Sequence, residues 1–287
     1  NSMTVTYDDV VKARETQSKV IRKTTLEFSE TFSKICGSKI YLKNEYEQKT
    51  GSFKIRGAYY KIKSLTDKEK SNGVVAASAG NHSQGVAFAS HIENIPCTIV
   101  MPKTASPAKV SATKGYGANV VLEGSTYDES WAHAQKISSE TNATIIHAFD
   151  DSHVIAGQGV IGLEIIEQLP DVDEIYVPIG GGGLVAGIIT AVKEKNPQVK
   201  IIGVESSAYP AMKKSLENNT LETVSGDTTI ADGISVKTPG KLTFDIVKQK
   251  IDKIVTVDDS DIINAMFLLM ERSKAVVEPA GAVALAY

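Results

Sequence analysis

The sequence predicts an α/β protein: two open, mostly parallel sheets with helices on both faces. Three observations carry that expectation. Short apolar runs such as Val74-Val75-Ala76-Ala77, Cys97-Thr98-Ile99-Val100-Met101 and Asn119-Val120-Val121-Leu122 alternate with segments of helical length, the rhythm of βαβ units. A second series of such runs follows Asp150, and one sheet holding all of them would be large, so two sheets are expected. Glycine-rich loops stand where strands end and helices begin, the place where parallel sheets hold ligands.

Taken in order, Tyr7 to Lys12 reads as a short helix, with Thr6 as its cap and Asp8 and Asp9 in the first turn, where acids suit the dipole. Asn1-Ser2-Met3 ahead of it reads as a tag remnant before the native start. Ile40-Tyr41-Leu42 is a short strand. A polar loop, Asn44 to Thr50, delivers the stretch Thr50-Gly51-Ser52-Phe53-Lys54-Ile55-Arg56-Gly57-Ala58. The apolar positions Phe53, Ala58, Tyr60 and Ile62 give that stretch a helix starting near Ser52. Val74 to Ala77 is a buried strand, followed by a turn and a helix from about Asn81 to His91. After the strand at Cys97 to Met101, Ser106 caps a helix with Pro107 at its first position. Asn119 to Leu122 and Thr144 to His147 are strands, with a helix from Tyr127 to Glu140 between them. Beyond Asp150 come a helix from about Val154 to Gln168, a strand at Ile175 to Val177, a glycine run, a helix opening at Leu184 and a strand at Lys200 to Val204. Ser225 to Lys241, with three glycines and a proline, reads as irregular. Ile254 to Val257 is a late strand, and Asp258 to Arg272 a periodic helix. Soft seams fall near Leu65 to Asn72 and near Asp150.

Composition narrows the function. The 287 residues are 42% hydrophobic and 23% charged, an ordinary globular balance. With 31 basic and 34 acidic residues the net charge is -3, too small to point to nucleic acid or an anionic membrane. The two cysteines, Cys36 and Cys97, sit in no CxxC pattern, so a disulfide framework is not expected and the reducing cytoplasm is the default. No apolar run is long enough to span a bilayer, and no signal-peptide pattern is present.

Lys54 stands at a helix start between Phe53 and Ile55. The positive end of a helix dipole and an apolar setting both disfavour the ammonium and lower its pKa, giving an amine that can form a Schiff base. Taken alone, Lys54 still reads as a solvated surface lysine. Gly180-Gly181-Gly182-Gly183 changes the balance: after a strand and before a helix, backbone free of side chains lets several N–H groups converge on an anion such as phosphate. The run is neither GxGxxG with a ribose-binding acid nor a Walker loop. Ser78-Ala79-Gly80-Asn81-His82 also follows a strand; its hydroxyl and N–H groups can hold a carboxylate, and the Asn81 amide can bond a phenolate or carbonyl. His82 reads as a partner within that loop. His91, His133, His147 and His153 show no metal-ligand spacing and read as structural or surface residues.

The ordered set Ser52-Phe53-Lys54-Ile55-Arg56-Gly57-Ala58, Ser78 to His82, Gly180 to Gly183, Ala231-Asp232-Gly233-Ile234 and Glu278-Pro279-Ala280-Gly281-Ala282 resembles fold type II pyridoxal-phosphate enzymes, the threonine/serine dehydratases in particular. The resemblance spans nearly the whole chain. It implies a tryptophan-synthase-β-like fold, with 1–66 and 151–287 binding pyridoxal 5'-phosphate and 67–150 on the substrate side. It implies that Lys54 holds the cofactor as a Schiff base and then acts as base. Phe53 would flank the ring, Asn81 bond its 3'-oxygen, and Gly180, Gly181, Gly182 and Gly183 with Leu184 hold the phosphate. Gly233 would lie beside the cofactor, and Ser78, Ala79, Gly80, Asn81 and His82 would bind the substrate carboxylate. The implied reaction is elimination of water from L-threonine or L-serine, giving 2-oxobutanoate or pyruvate and ammonia. The implied protein is a cytoplasmic homo-oligomer, a dimer or tetramer, with no nucleic acid or membrane as partner.

Two departures set the alternatives. Serine racemases resemble this chain but usually carry a serine, the opposite-face acid/base, where this chain has Ala79, so racemisation is disfavoured. They also tend to bind a divalent metal just after the strand holding Glu205; here Ser206-Ser207-Ala208-Tyr209-Pro210-Ala211 follows, without a second carboxylate. No metal-binding residue is therefore assigned, and a monovalent cation stays open. Family members continue past the Glu278 to Ala282 motif to a Ser-Gly-Gly-Asn-like turn that contacts the pyridine nitrogen, and longer biosynthetic members add a regulatory domain. The sequence reaches Tyr287 without that turn. The alternatives are a serine racemase or serine dehydratase, and a cofactor-binding fragment impaired by the missing partner. A cysteine-synthase-type enzyme is disfavoured because its lysine loop differs from Ser52 to Arg56.

Overall fold

In the computed structural model, the structure describes residues 4–227, 229, 231–272 and 283–287. The chain opens with α1 (Tyr7–Gln17). The Thr6 hydroxyl accepts from Asp9 N and the Asp9 carboxylate accepts from Thr6 N, a reciprocal cap that fixes the helix start. A small antiparallel pair follows: β1 (Leu26–Ser29) and β2 (Ile40–Lys43), with α2 (Glu30–Cys36) between them and Leu26 opposite Lys43.

Next comes α3 (Lys54–Lys63), which begins on Lys54 itself. Then follow α4 (Asp67–Asn72), β3 (Val74–Ala77), α5 (Asn81–Ile92), β4 (Cys97–Met101), α6 (Pro107–Gly115), β5 (Asn119–Leu122), α7 (Tyr127–Thr141) and β6 (Thr144–Ile145). These strands form a parallel sheet in the order β5-β4-β3-β6. The chain runs outward from β3 to β5 and then returns to β3's other side, so the strand order reverses between β3 and β6. Such a switch point opens a crevice at the strands' carboxyl ends.

The remainder is α8 (Ser152–Gln168), β7 (Glu174–Pro178), α9 (Gly183–Val192), β8 (Lys200–Ser206), α10 (Ala211–Asn218), α11 (Lys241–Lys250), β9 (Lys253–Val257), α12 (Asp259–Arg272) and α13 (Val283–Ala286). Its strands pair in parallel as β7-β8-β9. The two expected parallel sheets are present, with the short antiparallel pair in addition.

Several elements differ from the sequence expectation. α1 continues to Gln17. β6 stops at Ile145, because only Thr144 and Ile145 pair with β3; the chain then leaves the sheet. α11 starts at the end of the stretch read as irregular, which otherwise holds one tight turn at Asp232–Ile234. The Glu278 to Ala282 motif lies outside the described residues.

One core joins α8 and α9 to β7 and β8 through Ile155, Val160, Val177, Val185, Ile189 and Ile201. A second joins α3 and α5 to β3 and β4 through Ile55, Ala58, Ile62, Ala76, Val86 and Ile99. α8 is buried continuously from Val154 to Ile165. Its neighbours come to backbone contact: a Cβ on Gly157 would sit 2.6 Å from the Arg56 carbonyl oxygen, and one on Gly187 of α9 would sit 2.5 Å from the Ile155 carbonyl oxygen. Glycine is required at these crossings because a Cβ would force the helices apart. Among the described residues no helix is long and apolar enough to cross a membrane.

Candidate active site

Lys54 is half-buried at the first position of α3, its N–H 3.3 Å from the Ser52 hydroxyl. Its Nζ donates to the Ala148 carbonyl oxygen at 3.3 Å and lies 5.4 Å from the centroid of the Phe53 ring. Among the described residues no carboxylate pairs with it. Burial without a counter-charge lowers its pKa to about 8. The amine is therefore far closer to its neutral, nucleophilic form at physiological pH than a surface lysine.

Two neutral imidazoles border this amine. His82 is buried, with Nε2 2.8 Å from the Ile146 carbonyl oxygen. A carbonyl only accepts, so Nε2 carries the hydrogen. Burial, then the charge of Lys54, depresses His82 to about 3. His147 Nδ1 accepts the N–H groups of Phe149 at 3.2 Å and Asp150 at 2.9 Å, which places its own hydrogen on Nε2. Burial lowers its pKa as well. His147, read from sequence as a structural or surface residue, thus shapes the turn that carries the lysine's partner.

Ser78 leaves the end of β3, and its hydroxyl accepts from Gly80 N at 3.1 Å and Ser83 N at 3.3 Å. The hydroxyl accepts in both bonds, so its own hydrogen is still free to join the backbone N–H groups as a donor to a carboxylate. α5 begins at Asn81 with Gly80 as its cap and no side-chain capping bond. Ala79 packs on the core that contains Ile55, so the methyl faces the lysine helix's surroundings and offers no proton.

The glycine run leaves β7 and enters α9. Gly182 has φ +101°, a left-handed backbone, and Gly183 is the first helical residue. Gly181 to Gly183 are buried and Leu184 half-buried. A Cβ on Gly181 would sit 2.1 Å from Phe149 Cδ1, and one on Gly183 would sit 3.0 Å from Phe149 Cβ. The Phe149 side chain therefore lies directly on the run. On its other side, Gly181 O accepts from the Thr243 hydroxyl at 2.7 Å and from Gly240 N at 3.3 Å. Gly233 lies in the turn whose Ile234 Cα a Cβ on Gly180 would approach to 3.2 Å.

The lysine, the carboxylate-type loop and the glycine run meet on one short segment after β6. Ile146 O takes His82, Ala148 O takes Lys54, and Phe149 covers Gly181. Nothing in the sequence marked Ala148, Phe149, Asp150 or Thr243, because each acts through backbone or across a large chain separation. Glu205 serves its own strand end. It is buried and accepts from Met212 N at 2.9 Å and Lys213 N at 2.8 Å, capping α10. Burial raises its pKa to about 7. Among the described residues no three His, Cys, Asp or Glu side chains stand together as a metal site.

A parallel α/β fold in which a desolvated lysine and a glycine-rich helix start meet on one short segment suits the class of enzymes that hold a phosphorylated carbonyl cofactor. The chain belongs to the pyridoxal-phosphate dependent enzymes, whose family model matches residues 17–287. It is 50% identical over 282 residues to an L-threonine ammonia-lyase of Thermotoga maritima, covering 98% of this chain and 70% of that one. It is 46% identical to the catabolic L-threonine dehydratase TdcB of Escherichia coli, covering 98% of this chain and 86% of that one. The structure of maize serine racemase superposes with a TM-score of 0.96 at 35% identity, covering 98% of this chain and 85% of that chain. The processed form of threonine deaminase isoform 2 from Solanum lycopersicum superposes with a TM-score of 0.94 at 39% identity, covering 98% and 82%.

The residues present fit pyridoxal phosphate. An amine free of carboxylate partners suits an aldehyde. The buried start of α9, uncapped by any side chain, suits a phosphate, and a Cβ at Gly181 or Gly183 would disturb that cradle.

Proposed function

We propose that this protein deaminates L-threonine, and L-serine, to 2-oxobutanoate or pyruvate and ammonia by α,β-elimination of water. The observation that carries the reading is the Lys54 amine: desolvated, without a carboxylate partner among the described residues, and bonded to the Ala148 carbonyl, one residue before the phenylalanine that covers Gly181. The relatives named as threonine ammonia-lyase and threonine dehydratase support it.

Bound pyridoxal phosphate supplies an electron sink for charge developing at the substrate α-carbon. Lys54 serves as the attachment point and, once free, as the base that takes the α-proton. Its lowered pKa suits both roles near neutral pH. The N–H groups of the Ser78 to His82 loop hold the substrate carboxylate, and the start of α9, Gly180 to Gly183 with Leu184, holds the phosphate. Phe53 would flank the ring, Asn81 would bond its 3'-oxygen, and Gly233 would lie beside the cofactor. Ala79 places no proton donor on the substrate's opposite face, so elimination prevails over racemisation despite the structural likeness to a racemase.

The reading extends to a cytoplasmic homo-oligomer, dimer or tetramer. The free thiols of Cys36 and Cys97 and the exposed Phe28, Ile35 and Tyr46 are in keeping with it. It keeps the division into 1–66 with 151–287 and 67–150. The test is spectroscopic. Pyridoxal phosphate added to the purified protein should produce a visible band, and L-threonine should shift it while 2-oxobutanoate accumulates. A band without keto acid would overturn the reaction and leave only cofactor binding.

A further inference from the structure

The geometry points to Asp150 as a positioning residue that sets the distance between the Lys54 amine and the Gly180 to Gly183 loop, by capping α11 from a remote part of the chain. The inference rests on the proposed function, because it concerns that same site.

α11 has no cap of its own. Its N-cap is Gly240, which has no side chain, and the helix has no acid in its first turn. The first-turn N–H groups turn instead to Asp150, 91 residues before Lys241 in the sequence. Lys241 N donates to Oδ2 at 3.1 Å, and Leu242 N and Thr243 N donate to Oδ1 at 2.9 and 3.3 Å. A carboxylate there answers both the orphan donors and the helix dipole. The fit is tight: a Cβ on Gly240 would lie 2.3 Å from Asp150 Oδ1.

The helix start held this way grips the glycine loop, since Gly181 O accepts from the Thr243 hydroxyl at 2.7 Å and from Gly240 N at 3.3 Å. Asp150's own segment grips the other components. Its N–H and that of Phe149 bind His147 Nδ1, Ala148 O accepts from Lys54 Nζ, and Phe149 lies on Gly181. A closed ring of contacts results, running from Asp150 to the start of α11, Thr243, Gly181 and Phe149, and Lys54 is tied to it through the Ala148 carbonyl. Asp150 and Phe149 are the two places where the ring passes from one part of the chain to the other. Without its carboxylate, three N–H groups of α11 lose their acceptor, Thr243 loses its fixed place, and the loop is no longer held at a set distance from the amine.

A ligand that uses only one end of the site should not feel this loss. The apo-protein is therefore titrated with pyridoxal phosphate, which spans amine and loop, and with pyridoxal, which lacks the phosphate and engages only the amine. The affinities are read from the visible band. Asp150→Ala should weaken pyridoxal phosphate roughly tenfold, the order of a lost helix cap, and leave pyridoxal at its wild-type affinity. Asp150→Asn keeps an oxygen that can accept from Leu242 N and Thr243 N but none for Lys241 N, and should recover part of the loss. If Asp150→Ala does not fold, Thr243→Val removes the hydroxyl bonds to Gly181 O and Gly240 O, leaves Asp150 in place, and should show the same selective loss. An unchanged affinity for pyridoxal phosphate, an equal loss for both ligands, or an Asp150→Asn protein no better than Asp150→Ala would each overturn the inference. A wild-type protein that forms no band with either ligand would overturn the enzyme reading and this inference with it.

Discussion

Arg56 and Glu164, 108 residues apart, meet side by side inside the protein. Arg56 Nη1 donates to Glu164 Oε2 at 2.7 Å and Nη2 to Oε1 at 3.0 Å. On its other edge Arg56 donates to Glu45 at 2.7 and 2.9 Å, and Glu164 also accepts from Lys43 Nζ at 2.7 Å. Two acids and two bases thus form a closed, neutral group that ties the first turn of the lysine helix to α8 and to the end of β2. Arg56 has no exposed surface. Burial alone would lower its pKa, but Glu45 and Glu164 outweigh it and hold the guanidinium charged. Replacing Arg56 with methionine leaves the part-buried Glu45 without its guanidinium and Glu164 with Lys43 alone, and should cost about 3–5 kcal/mol, read by urea denaturation. Arg56→Lys should recover only part, since one ammonium cannot serve two carboxylates in the fork geometry. A loss under about 1 kcal/mol would mean that the group is not structurally coupled.

Lys54→Ala should abolish the visible band and reduce deamination by orders of magnitude, because one amine is both attachment point and base. The circular dichroism spectrum should be unchanged, as no salt bridge among the described residues depends on Lys54. More than trace activity in the purified variant would remove Lys54 from the chemistry.

At Gly181, sequence reasoning alone expects a bulky residue to block the backbone N–H groups while sparing the fold. The Phe149 ring alters that expectation, since a Cβ would sit 2.1 Å from Cδ1. Gly181→Ala should therefore lose about 1–3 kcal/mol of stability through overpacking as well as cofactor affinity. Adding Phe149→Ala should relieve part of the stability loss. Differential scanning calorimetry of the three proteins tests this, and a single variant as stable as wild type would contradict the contact.

Stability of the apo-protein should depend on pH at both ends of the range. His82 is depressed to about 3 by burial. Between pH 6.5 and 3 the unfolded chain binds a proton at this site that the folded one does not, so stability falls as pH drops. Lys54 is lowered to about 8. Between pH 8 and the usual lysine value the unfolded state again holds the extra proton, so stability rises with pH. Below pH 8 the buried amine costs on the order of 2 kcal/mol. Lys54→Met should lose the alkaline slope and gain stability at neutral pH. A parallel slope in both proteins would show that the amine is solvated.

The unequal faces of the substrate site give a stereochemical test. With Ala79 in place, L-serine should be deaminated with almost no D-serine formed. Ala79→Ser restores a hydroxyl there and should raise D-serine, modestly, because a proton donor also needs its own supporting hydrogen bonds. Chiral chromatography of residual serine reads both proteins. Rapid D-serine formation by the unmutated protein would favour a racemase.

The parallel strands were legible because Val74 to Ala77, Cys97 to Met101 and Lys200 to Val204 are short apolar runs bounded by turns. Thr6 and Ser106 were legible as caps because their partners, Asp9 and Lys109, lie three residues on. α11 was not legible, since its cap is Asp150 and its approach is glycine and proline. β6 was read too long because Ile146 and His147 are apolar or aromatic enough for a strand but leave the sheet for the site. The three loops could be seen in the sequence as loops. What brings them together could not: a carbonyl at Ala148, a ring at Phe149 and a carboxylate at Asp150 have no local pattern.

Gly157 against Arg56 and Gly187 against Ile155 have a consequence for how this molecule tolerates change. Helices that meet through side chains shift whenever a side chain grows or shrinks. α3, α8 and α9 meet through peptide backbone, which is the same for every residue and cannot be trimmed. The interval between the Lys54 amine on α3 and the glycine run at the start of α9 therefore behaves as a ruler with fixed marks. Aliphatic residues around the ruler can be exchanged, at some cost in stability, without moving those marks. A methyl group at Gly157 or Gly187 would move them. A redesign for a longer or shorter ligand would begin at those two glycines, and one for thermal stability would leave them alone.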